Sequence, residues 1–297
     1  CCNSSTSATA ATVAPGTITA VGGAFATRNE LTGSIVFAVP GISGGQGSGF
    51  GDYSADIKGS GTNKTILTTN SPTISSDASL YYGSSIKLVR ASAQDVYTTS
   101  INETIGTGDF TLEGWFRFDS RNQDINAFSL YSGNTRKFFL QMRVANVSSD
   151  FHTRVGVNQV QYNSGTIGWS DAHIGNWYHI ATVMDSGTFS IFLNGVCVGA
   201  HTNVVEDIGT VDTLRIGYMS GDGTKYLDGY FQDFRFYNIA KYKGGFDVPK
   251  PYTPVGIEAF RTTTDTCKNN FPTLNPLFPF HTDGVSYSDG NLFAQSS

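Results

Sequence analysis

Carboxylates, histidines and aromatic–amide clusters are the groups in this sequence that could do chemistry, and each demands its own arrangement. Cleaving a glycosidic bond needs two facing carboxyl groups, one to protonate the leaving group and one to attack or activate water. Asp228 and Asp233 come nearest, but residues five apart on a regular strand point to opposite faces, so they read as turn and sheet-surface residues. His179 sits in a β-like run beside Trp177 and reads as a core or edge histidine. No Ser/His/Asp or Cys/His order stands out, and no catalytic residue is assigned. Sugar recognition asks instead for an aromatic platform flanked by amides and carboxylates in a concave loop. The segment YNSGTIGWSD has that composition, which makes Tyr162, Asn163, Trp169 and Asp171 candidate ligand-binding residues. The other reading of Trp169 is a cap on the core.

The elements that must position these groups are strands. The run NWYHIATVMDSGTFSIFLNGVCVG, from Asn176 to Gly199, reads as three strands with tight turns at Asp185-Ser186-Gly187 and Asn194-Gly195. Asn-Gly tolerates the positive φ that a type I′ hairpin turn needs at both central positions. Between Phe110 and Phe118 the chain alternates, with Phe110, Leu112, Gly114, Phe116 and Phe118 on one face and Thr111, Glu113, Trp115 and Arg117 on the other. Over Gly229–Tyr237, regular alternation puts Tyr230, Phe234 and Phe236 on one face and Phe231, Asp233 and Arg235 on the other. Ile35–Val39 is apolar throughout and reads as a strand covered on both faces. Further strands are expected at Asn63–Leu67, Tyr82–Val89, Ala127–Tyr131, Lys137–Ala145, Thr153–Tyr162 and Asp212–Tyr218, with no convincing helix. Such a chain is expected to be all-β, an antiparallel two-sheet sandwich.

Trp177, His179-Ile180-Ala181 and Asn194-Gly195 resemble the central meander of laminin-G-like (concanavalin A-like) jelly-roll domains. DFTLEGWFRFD resembles that family's early strand with a buried Trp, and LDGYFQDFRFYNIAKY its closing strand. Within that family, Val39-Pro40-Gly41, Gly51-Asp52-Tyr53-Ser54, Lys64-Thr65-Ile66, Tyr81-Tyr82-Gly83-Ser84-Ser85 and the exit through Ile239-Ala240-Lys241-Tyr242 resemble modules in virion structural proteins of tailed phages, above all those of marine cyanophages. The resemblance implies a jelly roll over residues 33–252, an extended arm at 1–32 and a Pro- and Phe-containing extension at 253–297. It also implies a virion structural protein: a capsid decoration, fibre or tail appendage subunit, with copies of itself and other virion proteins as partners. A secreted or surface-anchored carbohydrate-binding adhesin, with a host-surface glycan as ligand, is the alternative, and Cys1-Cys2 before a polar run would fit an anchored form. Glycosidases of this fold carry a Glu-x-Asp-x-x-Glu pattern that does not occur here, so the expectation is not an enzyme. The family often holds Ca²⁺ at a sandwich rim through aspartates and carbonyl oxygens. Asp119, Asp124, Asp171, Asp185 and Asp222 lie in expected loops, without a recognisable ligand loop among them.

Composition bounds the rest. Charged residues make up 14% of 297 residues, aromatics 13%, and the net charge is -5 without a basic cluster, which argues against nucleic acid as a partner. No apolar run is long enough to span a bilayer. The glycine-rich stretch Gly41–Gly51 lacks the Gly-Lys-Ser/Thr ending of a phosphate loop. Cys197 and Cys267 are expected as free thiols, a disulfide between them being the alternative, and the lack of C-x-x-C argues against zinc. In the carboxy-terminal extension Phe271, Leu274, Leu277, Phe278 and Phe280 cluster in a Pro-broken segment and are the expected assembly contacts.

Overall fold

The computed structural model describes residues 33–42, 51–120, 124–143, 150–156, 160–220 and 225–248, with the backbone of Val285–Ser288 and Asn291–Ala294. The arm at 1–32 and the side chains of Phe271, Leu274, Leu277, Phe278 and Phe280 lie outside the described residues. The chain opens with β1 (Ile35–Val39), a short helix α1 (Ser54–Lys58), β2 (Leu67–Thr69), β3 (Thr73–Ser75), β4 (Ser85–Leu88), β5 (Asp95–Thr98) and β6 (Glu103–Thr104). It continues through β7 (Phe110–Phe118), β8 (Ile125–Ser132), β9 (Thr135–Arg143), β10 (Asp150–Val155), β11 (Val160–Asn163), β12 (Trp177–Asp185) and β13 (Thr188–Leu193). Then come β14 (Val196–His201), β15 (Thr210–Val211), β16 (Thr213–Ile216), β17 (Tyr218–Met219), β18 (Lys225–Tyr226) and β19 (Gly229–Tyr237). Near the end β20 (Val285–Ser288) and β21 (Asn291–Ala294) form an antiparallel hairpin. Among the described residues no helix is long and apolar enough to cross a membrane.

Two antiparallel sheets make the sandwich. One runs β14-β13-β12-β7-β19-β4-β3, with β1 also on β19; the other runs β11-β10-β9-β8-β16-β5-β2. Phe37, Phe116, Phe118, Phe128, Phe138 and Phe231 fill the space between them and are fully buried. Each such ring contributes roughly 1.5–3 kcal/mol relative to exposure.

The meander at β12–β14 follows the expected turns. Ser186 and Gly187 have φ of 48° and 76°, and Asn194 and Gly195 have 49° and 77°, the left-handed pair of a type I′ hairpin. Gly195 is required twice over. A Cβ there would meet the Phe246 carbonyl oxygen at 1.9 Å, because Phe246 N donates to Gly195 O across 3.0 Å where the exit segment crosses the turn.

Four expectations are corrected. Regular alternation fails in β19: a bulge between Gln232 and Arg235, with Asp233 at φ 51°, adds a residue and restores inward parity. Phe231, Phe234 and Phe236 therefore share the core, while Tyr230 turns outward beneath Lys87 and Arg117. Pairing begins at Leu67 rather than Asn63, because the Asn63 amide is spent on Ala55 N and Asp56 of α1, itself a helix the sequence reading lacked. The expected strand Thr153–Tyr162 is two strands of a hairpin, with Gly156 at φ 81° where it leaves β10. Cys197 is disulfide-bonded rather than a free thiol.

The outer face of the eight-stranded sheet is covered as well. Trp115, Ala181, Val183 and Phe192 pack beneath Tyr242, Phe246 and Val248 of the segment leaving β19. Within that cover Glu113, 1% exposed, takes Lys241 Nζ at 2.5 Å on Oε1 and the Tyr242 hydroxyl at 2.6 Å on Oε2, with His179 Nε2 at 3.4 Å. This carboxylate and imidazole are adjacent, yet no substrate can reach them.

Candidate ligand-binding face

The loop chosen from composition does not present its aromatics to solvent. Trp169 is 3% exposed, its indole edge-on to Phe118 at 5.3 Å and 5.0 Å from Tyr178. Tyr162 also turns inward, packing near Phe189 and giving its hydroxyl to Glu206 Oε2 at 2.7 Å. Asp171 is exposed at the start of the 3-10 turn Asp171–His173, while Asn163 is at the end of β11. Of the four candidates, only Asn163 shares a sheet face with other recognition groups. The reason is the period-2 geometry of β11: with Tyr162 inward, Gln161 and Asn163 must face out.

The acids are dispersed. Asp228 accepts Arg90 N at 3.3 Å, and Asp233 pairs with Arg235 at 2.9 Å. Asp119 pairs with Arg117 at 3.2 Å, Asp185 with Lys243 at 3.6 Å, and Asp124 with Lys225 at 2.9 Å. Asp222 lies outside the described residues, among which no group of three or more His, Cys, Asp or Glu side chains could hold a metal ion.

A different surface gathers the groups that recognition needs: the outer face of the seven-stranded sheet. In register across four strands stand Asn126 of β8, Gln141 of β9, His152 of β10 and Asn163 of β11. Asn126 donates through Nδ2 to the Tyr218 carbonyl at 2.8 Å, and Gln141 donates to Asp124 Oδ2 at 2.7 Å. Phe139 stacks against His152 and carries the Arg136 guanidinium 4.5 Å above its ring. Asn126, Gln141 and His152 are buried and Asn163 is half-buried; the row leads into a half-buried aromatic patch on β5, β16, β17 and β18.

In that patch Arg215 stands between two tyrosines, its guanidinium carbon 4.5 Å from the Tyr97 ring centre and 4.4 Å from that of Tyr218. Tyr226 packs on Tyr218 at 5.0 Å. Asp95, fully buried below, accepts Arg215 Nε at 2.6 Å. Ser129 Oγ donates to the Tyr218 carbonyl at 2.7 Å, so the β17–β18 hairpin is bonded down onto β8 and its tyrosines are held in place. Tyr97, Arg215, Tyr218 and Tyr226 are each partly solvent-exposed. The available signal in the sequence was the alternation Asp95, Tyr97 in β5 and Asp150, His152, Arg154 in β10, polar or amphipathic groups opposite apolar neighbours.

His152 makes this face acid-sensitive. Burial first, then the facing Arg143 and Arg154, pull its pKa down to about 4 from 6.5, with Asn163 and Asp124 opposing; Asp150 also faces outward two residues away on β10. The unfolded chain then binds the extra proton between those values, so stability falls with it. We expect stability to decline as pH drops from about 6.5 towards 4, and His152→Gln to remove that component. Urea denaturation at half-unit pH steps checks this; parallel profiles for the two proteins would clear His152 of the effect.

A family model described as the concanavalin A-like lectin/glucanases superfamily matches residues 91–242, just over half of the chain. Among solved structures, the botulinum neurotoxin serotype D binding domain matches with a TM-score of 0.52 at 12% identity, covering 70% of this chain and 49% of that one. The serotype D ligand binding domain in complex with N-acetylneuraminic acid gives the same TM-score and identity, with 70% and 48% covered. The receptor binding domain of botulinum neurotoxin D again gives 0.52 and 12%, with 71% and 50% covered. The match therefore spans about half the length of those structures. Comparison with curated proteins yields no significant match.

Proposed function

The chain belongs to the concanavalin A-like lectin/glucanases superfamily, and from that premise we propose that it is a non-catalytic glycan-binding module displayed on the outside of a larger assembly. The observation that carries the proposal is the partly exposed patch of Tyr97, Arg215, Tyr218 and Tyr226 on the outer face of the seven-stranded sheet. Tyrosine rings offer a sugar both an apolar surface for its C–H groups and a hydroxyl for its polar edge. Burial and the neighbouring Tyr218 raise the pKa of Tyr226, so it stays a neutral phenol. The acid nearest the patch, Asp95, is buried under Arg215, and Asp124 is held by Lys225 and Gln141. Neither arrangement supplies the facing pair that glycoside hydrolysis requires.

The sequence resemblance supports a phage virion as the place of display, with residues 33–252 as the outward module and Phe271, Leu274, Leu277, Phe278 and Phe280 as assembly contacts. A secreted or cell-surface adhesin would use the same face.

Tyr218→Ala in the full chain tests the reading. Losing one stacking ring is expected to weaken glycan binding by about tenfold or more. The melting temperature should move little, because Asn126 and Ser129 hold the Tyr218 backbone carbonyl rather than its ring. Glycan-array screening followed by calorimetry gives both readouts. Unchanged affinity in the variant, or no glycan retained by the wild type, would sink the proposal.

A further inference from the structure

We infer that the sugar taken by this face is acidic, its carboxylate or sulfate meeting the outer edge of the Arg215 guanidinium while its ring lies against the tyrosines. This rests on the glycan-binding reading above and names its substrate class.

The first observation is how Arg215 is held. Its Nε donates to Asp95 at 2.6 Å and its Nη2 reaches Thr69 Oγ1 at 3.5 Å. Those two contacts leave Nη1 and the second Nη2 hydrogen for a ligand, and the side chain keeps 25% exposure. Planar guanidinium presents its N–H groups in a rigid fork that matches a carboxylate or a sulfate. Tyr97 and Tyr218 both pack against the guanidinium, their ring centres 4.5 and 4.4 Å from its carbon. Asp95 aims the group without competing for the ligand, since it is 0% exposed and lies beneath the guanidinium.

The second observation is charge. The whole chain carries a net charge of -5. On this one face Arg143, Arg154 and Asp124 surround His152, while Arg136, Arg215 and Lys225 lie nearer the tyrosines, with Asp95 bonded to Arg215 and Asp124 to Lys225. A neutral sugar has no use for these cations, whereas an anionic chain would be drawn to them. Charge-assisted hydrogen bonds are also about twice as strong as neutral ones, so the ionised substituent would dominate selection.

The test uses the full chain and two matched pairs of probes: oligogalacturonate with its methyl ester, and a sulfated galactan with its desulfated form. The acidic member of one or both pairs is expected to bind about tenfold tighter, with the advantage shrinking as salt rises from about 50 to 500 mM. The pair that shows the preference distinguishes carboxylate from sulfate. Arg215→Gln combined with Asp95→Asn, which leaves no lone buried carboxylate, should bring each ratio to about one. Equal binding within both pairs, or a preference surviving in the double variant, overturns the acidic assignment and leaves glycan binding standing. No binding to any of the four probes also overturns the acidic assignment, and the glycan reading falls with it only where the array retains no glycan.

Discussion

Glu113→Ala is expected to cost roughly 3–5 kcal/mol, the usual result of removing one partner from a buried charged pair. Glu113 is the acceptor on which the exit segment is fastened. Lys241 and Tyr242 each bond one of its oxygens, and both are buried with it. Burial by itself would raise the carboxyl's pKa, yet Lys241, then His179 and Arg235, hold it well below the usual carboxylate range. Its stabilising contribution is therefore present above an unfolded value of about 4.5 and fades as pH falls below it. Alanine would remove the buried acceptor that both Lys241 and the Tyr242 hydroxyl bond. At about 2–4 °C per kcal/mol for a domain of this size, the melting temperature should fall by on the order of 10 °C. Replacing both partners, Glu113→Leu with Lys241→Met, should recover most of the loss. A single variant that melts within a degree of wild type would show that the network does not fasten the segment.

Trp169→Ala is expected to cost about 3–5 kcal/mol as a large buried aromatic truncated to a methyl. The indole fills the space between Phe118 of β7, Tyr178 of β12 and His173, so its removal opens a cavity at one end of the sandwich. Sugar binding by the fraction that remains folded should be unchanged, because Trp169 lies in the inter-sheet core and the tyrosine patch on the outer face. Denaturant melts paired with calorimetry separate the two roles. Intact stability with binding abolished would return the ligand site to the loop Tyr162–Asp171.

Much of the fold was legible because its signals are local. Asn194-Gly195 and Ser186-Gly187 set two hairpin turns through φ values that those residues tolerate. The alternation of Phe110 to Phe118 sorted that strand's core and outer faces correctly, since neighbours on one strand must point to opposite sides. The many short alternating segments, with turn signals between them and no convincing helix, marked an all-β sandwich without reference to any partner strand.

The binding face was not legible, because it exists only through pairings distant in sequence. Arg215 and Asp95 meet across 120 residues, and the row Asn126, Gln141, His152 and Asn163 depends on the registers of four strands. Alternation assigns sides within a strand but not which strands lie together, and one bulge reverses it. At Asp233 that inserted residue moved Phe231 to the same side as Phe234. Trp169 illustrates the same boundary from a loop: its composition fits an exposed platform and a buried cap equally. Only the packing of Phe118 and Tyr178 beside it, contributed by two separate strands, decided for the core. The sequence by itself determined the turns, the strand faces and the class of fold; the tertiary structure decided which side chains meet, because register between distant strands is settled by the packing of the whole sandwich.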